Sequence, residues 1–166
     1  MKKIAFSIIL CVISLSLFSQ DFNIPKDYKL VKVEDYALYE NDIISCVDWL
    51  MNTPLDENLN KRKEANAFLI KWLSGSPNVH IEIKQEIVTF MSTSPDLLMI
   101  FMGGWAKYSI KTKDYNNNVE GSMAGIESVI AFYTKNKKLL KKDRKIEKYI
   151  KRQKKGTLKK YIEKNA

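Results

Sequence analysis

The chain has 166 residues, 45% of them hydrophobic and 28% charged, and a formal net charge of +9. One histidine and two cysteines exclude a histidine-rich metal centre and a Cys/His zinc set. The length suits one domain with a substantial core.

Met1, Lys2 and Lys3 precede an uncharged, largely apolar stretch over 4–18, the layout of a secretory signal peptide over 1–20. That stretch is short for a membrane anchor, and no second one follows it. Cleavage near Ser19-Gln20 would export residues 21–166 to a periplasm-like compartment or the medium. Leu10 before Cys11 is a poor context for lipid attachment, and Cys11 leaves with the leader. The remaining Cys46 has no partner for a disulfide and, with Ile43, Val47 and Leu50 at helical spacing, reads as a small buried hydrophobe.

Residues 21–34, with Pro25, read as an extended lead-in to a helical domain over 35–166. Tyr36, Tyr39, Ile43, Cys46, Val47 and Leu50 form a helical stripe over 35–51, ended by Asn52-Thr53-Pro54. A second amphipathic helix over 62–73 places Ala65, Phe68, Leu69, Trp72 and Leu73 inward and Arg62 outside the stripe. Ser74-Gly75-Ser76-Pro77 should close it, with Gly75 in a left-handed conformation. The alternation in 79–83 reads as an extended entry to a short helix over 83–92, with Ile83, Ile87, Phe90 and Met91 inward.

Ser94-Pro95-Asp96 reads as the start of a helix that is uncharged from Leu97 to Ala106. Gly103-Gly104 inside it costs about 1 kcal/mol per glycine against alanine, which close approach of another backbone can offset. The rival reading is a ligand-facing notch formed by Gly103, Gly104, Trp105 and Tyr108. After a loop over 112–118, Asn118 should cap a helix over 119–136 whose small face, Gly121, Ala124, Gly125 and Ser128, is the expected partner of Gly103-Gly104. A helix over 143–155 turns Ile146, Tyr149 and Ile150 inward. Gly156 breaks the chain, and a last short helix capped by Thr157 carries Leu158, Tyr161 and Ile162. The expected fold is all-α: a single compact domain of six or seven antiparallel helices packed around a central apolar helix at about 95–110.

Charge is divided unevenly. Residues 135–166 hold 15 Lys and Arg against 3 Asp and Glu, a surplus of +12; residues 21–134 hold 11 against 16, a deficit of −5. The basic C-terminal helix pair can be a solvated face, or a docking face for an anionic partner through Lys141, Lys142, Lys145, Lys148 and Arg152. In an exported protein such a partner is a lipid headgroup, an acidic glycan or an acidic protein. Association of copies, basic tail against acidic body, is also open. Nucleic acid is disfavoured by the leader and by the excess of Lys over Arg.

No motif of phosphate-loop, serine-hydrolase or zincin type is present, and no cofactor is implied. His80 has neither a nucleophile nor an orienting acid beside it in sequence. The carboxylates Asp42, Asp48, Glu64, Glu82, Glu86 and Asp96 leave room for a carboxylate-dependent hydrolase of an envelope polymer. The expected function is an exported, non-enzymatic binding or interaction protein of the cell envelope. The alternatives are that hydrolase and an inhibitor or immunity-type protein.

The segments YENDIISCVDWLMNTPLDENLNKRKEANAFLIKWLSGSPNV, PDLLMIFMGGWAKYSI and GIESVIAFY resemble a family of small exported bacterial proteins with no known activity. The resemblance spans about 35–135. It implies that Trp72, Gly75, Pro77, Gly103, Gly104 and Trp105 lie in shared segments, compatible with packing, and implies no site residue.

Overall fold

A computed structural model describes residues 22–166. The signal-peptide expectation falls outside these residues. Among them are seven helices and no strand: α1 (Val33–Leu38), α2 (Glu40–Asn52), α3 (Leu59–Gly75), α4 (Leu97–Thr112), α5 (Asn118–Lys135), α6 (Arg144–Lys154) and α7 (Leu158–Asn165). Together they make one compact all-helical domain with a continuous buried cluster running from Phe22 to Ile162. No described helix is long and apolar enough to cross a membrane.

The helix expected over 35–51 is two helices. Tyr39 leaves helical geometry at φ −101° and ψ 6°. The break sends α1 across the end of α3, where the Tyr36 carbonyl accepts the Trp72 indole N–H at 2.9 Å. Gly75 is explained by the same contact. It lies inside α3 without a left-handed φ, and a Cβ there would run into the Tyr36 ring. Trp72 is a buried core residue, as its place in the stripe predicts.

Arg62 was expected outside the apolar stripe but is only 8% exposed. The last carbonyls of a helix have no partner inside it. The Arg62 guanidinium supplies one for the end of α2, donating to Leu50 O at 3.2 Å, Thr53 O at 2.7 Å and Pro54 O at 3.1 Å. A planar fork does this where a point charge could not. The guanidinium carbon lies 5.8 Å from the Trp49 ring centre and 5.7 Å from that of Phe132.

The short helix expected over 83–92 does not form. Successive turns run there instead, closed by bonds such as Val88 N–H to Lys84 O and Ser94 N–H to Phe90 O. Ile87, Val88 and Phe90 are buried while Ile83 and Met91 are about 40% exposed, which is not the expected stripe. The carbonyls of Glu86 and Ile87, which a helix would use internally, accept the hydroxyls of Tyr161 and Tyr149 from α7 and α6.

Helix α4 begins later than Ser94-Pro95-Asp96 suggests. Leu97 and Leu98 donate back to the carbonyls of Ser94 and Pro95, and the Ser94 hydroxyl serves another partner. The cap of α5 shifts by one residue: Asn117, not Asn118, accepts Glu120 N–H at 3.1 Å. Thr157 is the N-cap residue of α7 as expected, but its hydroxyl donates to Arg152 O instead of accepting from the helix.

Close approach of α4 and α5 does occur, and of the two α4 glycines Gly104 meets the expected small face of α5 while Gly103 does not. Gly104 faces Ser128 and the Ala124 carbonyl, while Gly125 receives the Phe101 ring and Gly121 the Trp105 indole. Gly103 points away from α5, against Val47 of α2 and Leu69 of α3. Helix α4 touches α2, α3 and α5, whereas α6 and α7 pack on α5 and on each other. The neighbours are therefore shared between two helices.

Two outcomes follow from this packing. An added Cβ on Gly125 would sit 2.6 Å from the Phe101 ring and 2.9 Å from its carbonyl oxygen, and the latter cannot swing aside. Gly125→Leu should therefore lower unfolding free energy in urea by about 3 kcal/mol or more, beyond what helix propensity returns. Arg62→Met should cost about 3 kcal/mol by stranding the buried carbonyls at the end of α2, and Arg62→Lys should recover only part of it.

Candidate functional site

One carboxylate, Asp143, ties the start of the basic helices both to the irregular segment and to α5. Asp143 is 4% exposed and caps α6, accepting Lys145 N–H at 2.8 Å and Ile146 N–H at 3.3 Å. Its other oxygen accepts the hydroxyls of Thr93 and Ser94, the latter at 2.9 Å. Its own N–H donates to the Tyr133 hydroxyl of α5 at 3.0 Å. Burial alone would raise its pKa, but the hydrogen bonds from Thr93, Lys145, Ser94 and Ile146 outweigh burial and hold it below the ordinary carboxylate value.

From that cap, positions 145, 148 and 152 fall on one face of α6, three and four residues apart. Lys145, Lys148 and Arg152 line a cleft of about 550 Å³ between α6, α7 and the turns of 85–92. Lys145 is tethered by donating to Ser92 Oγ at 2.9 Å. Arg152 lies over the Tyr161 ring at 4.1 Å. Tyr161 in turn meets Tyr149 edge-on at 5.8 Å. Both phenols are committed to backbone, Tyr149 to Ile87 O at 2.7 Å and Tyr161 to Glu86 O at 2.8 Å. Burial pushes the Tyr149 pKa up, so it stays a neutral donor. Val88 and Met91 supply aliphatic lining.

A shallower hollow of about 390 Å³ adjoins it, sharing Arg152 and Tyr161 and adding Lys160 and Lys164. No carboxylate side chain lines either hollow. Among the described residues none of Lys145, Lys148 and Arg152 forms an ion pair, whereas Lys137 pairs with Glu147 and Lys159 with Glu120.

Of the five basic residues expected at a docking face, three converge and two do not. Lys141 and Lys142 are exposed on the turn before Asp143 and do not line the cleft, because α6 starts after them and its helical register excludes them. Tyr161, Met91, Ser92, Lys160 and Lys164 were not singled out. Tyr161, carried by the last helix, is half-buried with Arg152 on its ring. The spacing of Tyr161 from Arg152 across the Gly156 turn is the one sequence signal that could have joined them.

Gly103, Gly104, Trp105 and Tyr108 do not converge on a notch. The two glycines face opposite neighbours, and Trp105 is 2% exposed against Gly121. Tyr108 lies near the end of α4, donating its hydroxyl to Asp114 at 3.0 Å. The close packing of α4 fills the space such a notch would need.

Elsewhere the titratable groups are dispersed. Cys46 is buried, donates to Ala65 O at 3.4 Å, and has its thiol pKa pushed up to about 12 by burial. His80 is exposed, with Nε2 at 3.1 Å from Pro77 O. No group of three or more His, Cys, Asp or Glu among the described residues is placed to hold a metal ion. Asp48 pairs with Lys107, and Glu82 with Lys84 at 3.5 Å. Asp42 and Glu64 line one open groove beside Pro25 and Lys26.

No family model, curated protein or solved structure matches the chain. The roles of these residues therefore rest on geometry alone.

The low pKa of Asp143 sets a pH dependence. A carboxyl that titrates below its unfolded value near 3.8 contributes fully above that value and loses the contribution as pH falls through the folded pKa. Asp143→Asn should lower stability by about 1–3 kcal/mol at neutral pH. Chemical denaturation across the acid range should show that gap narrowing as pH drops below 3.8. A constant gap would show that the carboxylate's charge is not what the junction uses.

Proposed function

We propose that the chain is an exported, non-enzymatic binding protein of the cell envelope that takes an anionic group of an envelope component into the cleft of α6 and α7. The observation that carries this reading is the convergence of Lys145, Lys148 and Arg152 on one cleft with no carboxylate in its lining. Three uncompensated cations repel one another, and an anion among them removes that cost. The cleft lies within the size range of small-ligand sites. Lys145 and Arg152 are held in place by Ser92 and Tyr161, so less side-chain freedom is lost on binding.

Export is supported by the basic and apolar leader over 1–20. A phosphate-bearing headgroup and an acidic glycan present the same charge to this cleft, and the two can be separated by experiment. Lys145→Glu with Lys148→Glu should abolish salt-sensitive cosedimentation with phosphatidylglycerol vesicles, or retention on an acidic polysaccharide, whichever the parent protein shows. Screening predicts that parental binding weakens steadily as salt rises. Binding that survives the double reversal would end the reading.

A further inference from the structure

The composition of the cleft narrows the ligand class, and the narrowing rests on the anion-site reading above. We infer that the cleft seats an anionic amphiphile: a lipid phosphate among Lys145, Lys148 and Arg152, with the adjoining methylenes on Met91. Four observations lead there. Three cations line the cleft without a carboxylate, which selects for negative charge. Both tyrosine hydroxyls are spent on the carbonyls of Ile87 and Glu86, and with Tyr149 buried only the half-buried Tyr161 offers ring surface to a ligand. A glycan needs a dense set of neutral donors and acceptors; the cleft offers Gln85, Thr89 and Ser92, of which Thr89 already donates to the Tyr149 hydroxyl and Ser92 is engaged by Lys145. Finally, Met91 is a large apolar side chain left 39% exposed, and it sits in this cleft beside the cations. An acyl segment covering it removes apolar surface from water at the same place where the charge is neutralised.

The test is titration calorimetry on the full chain at fixed ionic strength with inorganic phosphate, hexyl phosphate and decyl phosphate, the last two below their aggregation concentrations. Affinity should rise from phosphate to hexyl to decyl phosphate, by about fourfold for each methylene the cleft buries. Decyltrimethylammonium, with the same chain and the opposite charge, should not bind. Met91→Gln, a change at an exposed position, should reduce the ratio of decyl to inorganic phosphate affinity, with circular dichroism confirming the fold. Lys145→Glu with Lys148→Glu should abolish binding of all three phosphates.

Equal affinity for inorganic and decyl phosphate, both lost in the double reversal, would overturn the amphiphile and leave the anion site standing. Tight decyl phosphate binding that the reversal does not weaken would overturn both. Decyltrimethylammonium binding as well as decyl phosphate would reduce the chain effect to unselective hydrophobic adsorption and also overturn the amphiphile.

Discussion

The interlock of α4 with α5 is the constraint on which the rest of the structure depends. Glycines at 104, 121 and 125 bring the two helices close enough for Ser128, Trp105 and Phe101 to fill the gaps they leave. The gain is dispersion and burial over two aromatic rings, and the cost is the weak helix propensity of glycine. Helix α4 then carries α2 and α3 on its far side, with Gly103 admitting Val47 and Leu69. Helix α5 carries α6 and α7. Among the helices, the acidic body and the basic tail are thus joined through this pair.

That arrangement lets the charge asymmetry persist without opposing the fold. Most of the tail's lysines are exposed, where mutual repulsion is screened by water and salt. Two exposed pairs, Lys137 with Glu147 and Lys159 with Glu120, tie the tail to itself and to α5, and pairs of this kind contribute at most about 1 kcal/mol each. Adhesion of the tail comes instead from Ile146, Tyr149, Leu158 and Ile162, all buried, and from the Asp143 junction. Since the apolar face does the holding, Lys145, Lys148 and Arg152 are left without ion-pair partners among the described residues.

The helical core was legible because its apolar residues repeat at helical spacing over long windows. Cys46, Phe68, Leu69, Trp72 and Ile146 all lie where that spacing puts them. Features set by a partner distant in sequence were not legible. Arg62 reads as a surface residue on its own helix and is buried because the end of α2, about ten residues upstream, needs donors. Met91 reads as core in a helical pattern, yet 83–92 is not helical, and its burial cannot be read from a period it does not follow. Lys141 and Lys142 are chemically identical to Lys145 and Lys148, and only the position of the Asp143 cap decides which of them face the cleft.

The failure of 83–92 to form a helix is what makes a site there. A regular helix would have closed its carbonyls on its own N–H groups and offered α6 and α7 only a side-chain surface. With turns in its place, the carbonyls of Glu86 and Ile87 project to the tyrosine hydroxyls, and Thr93 and Ser94 reach Asp143. These polar ties fix the distance between the segment and the two basic helices at several points along its length. A gap bounded by hydrogen bonds at both ends cannot collapse to bury Met91 any further. The cleft is therefore a consequence of how the tail docks, and its cations face a preformed opening rather than open solvent.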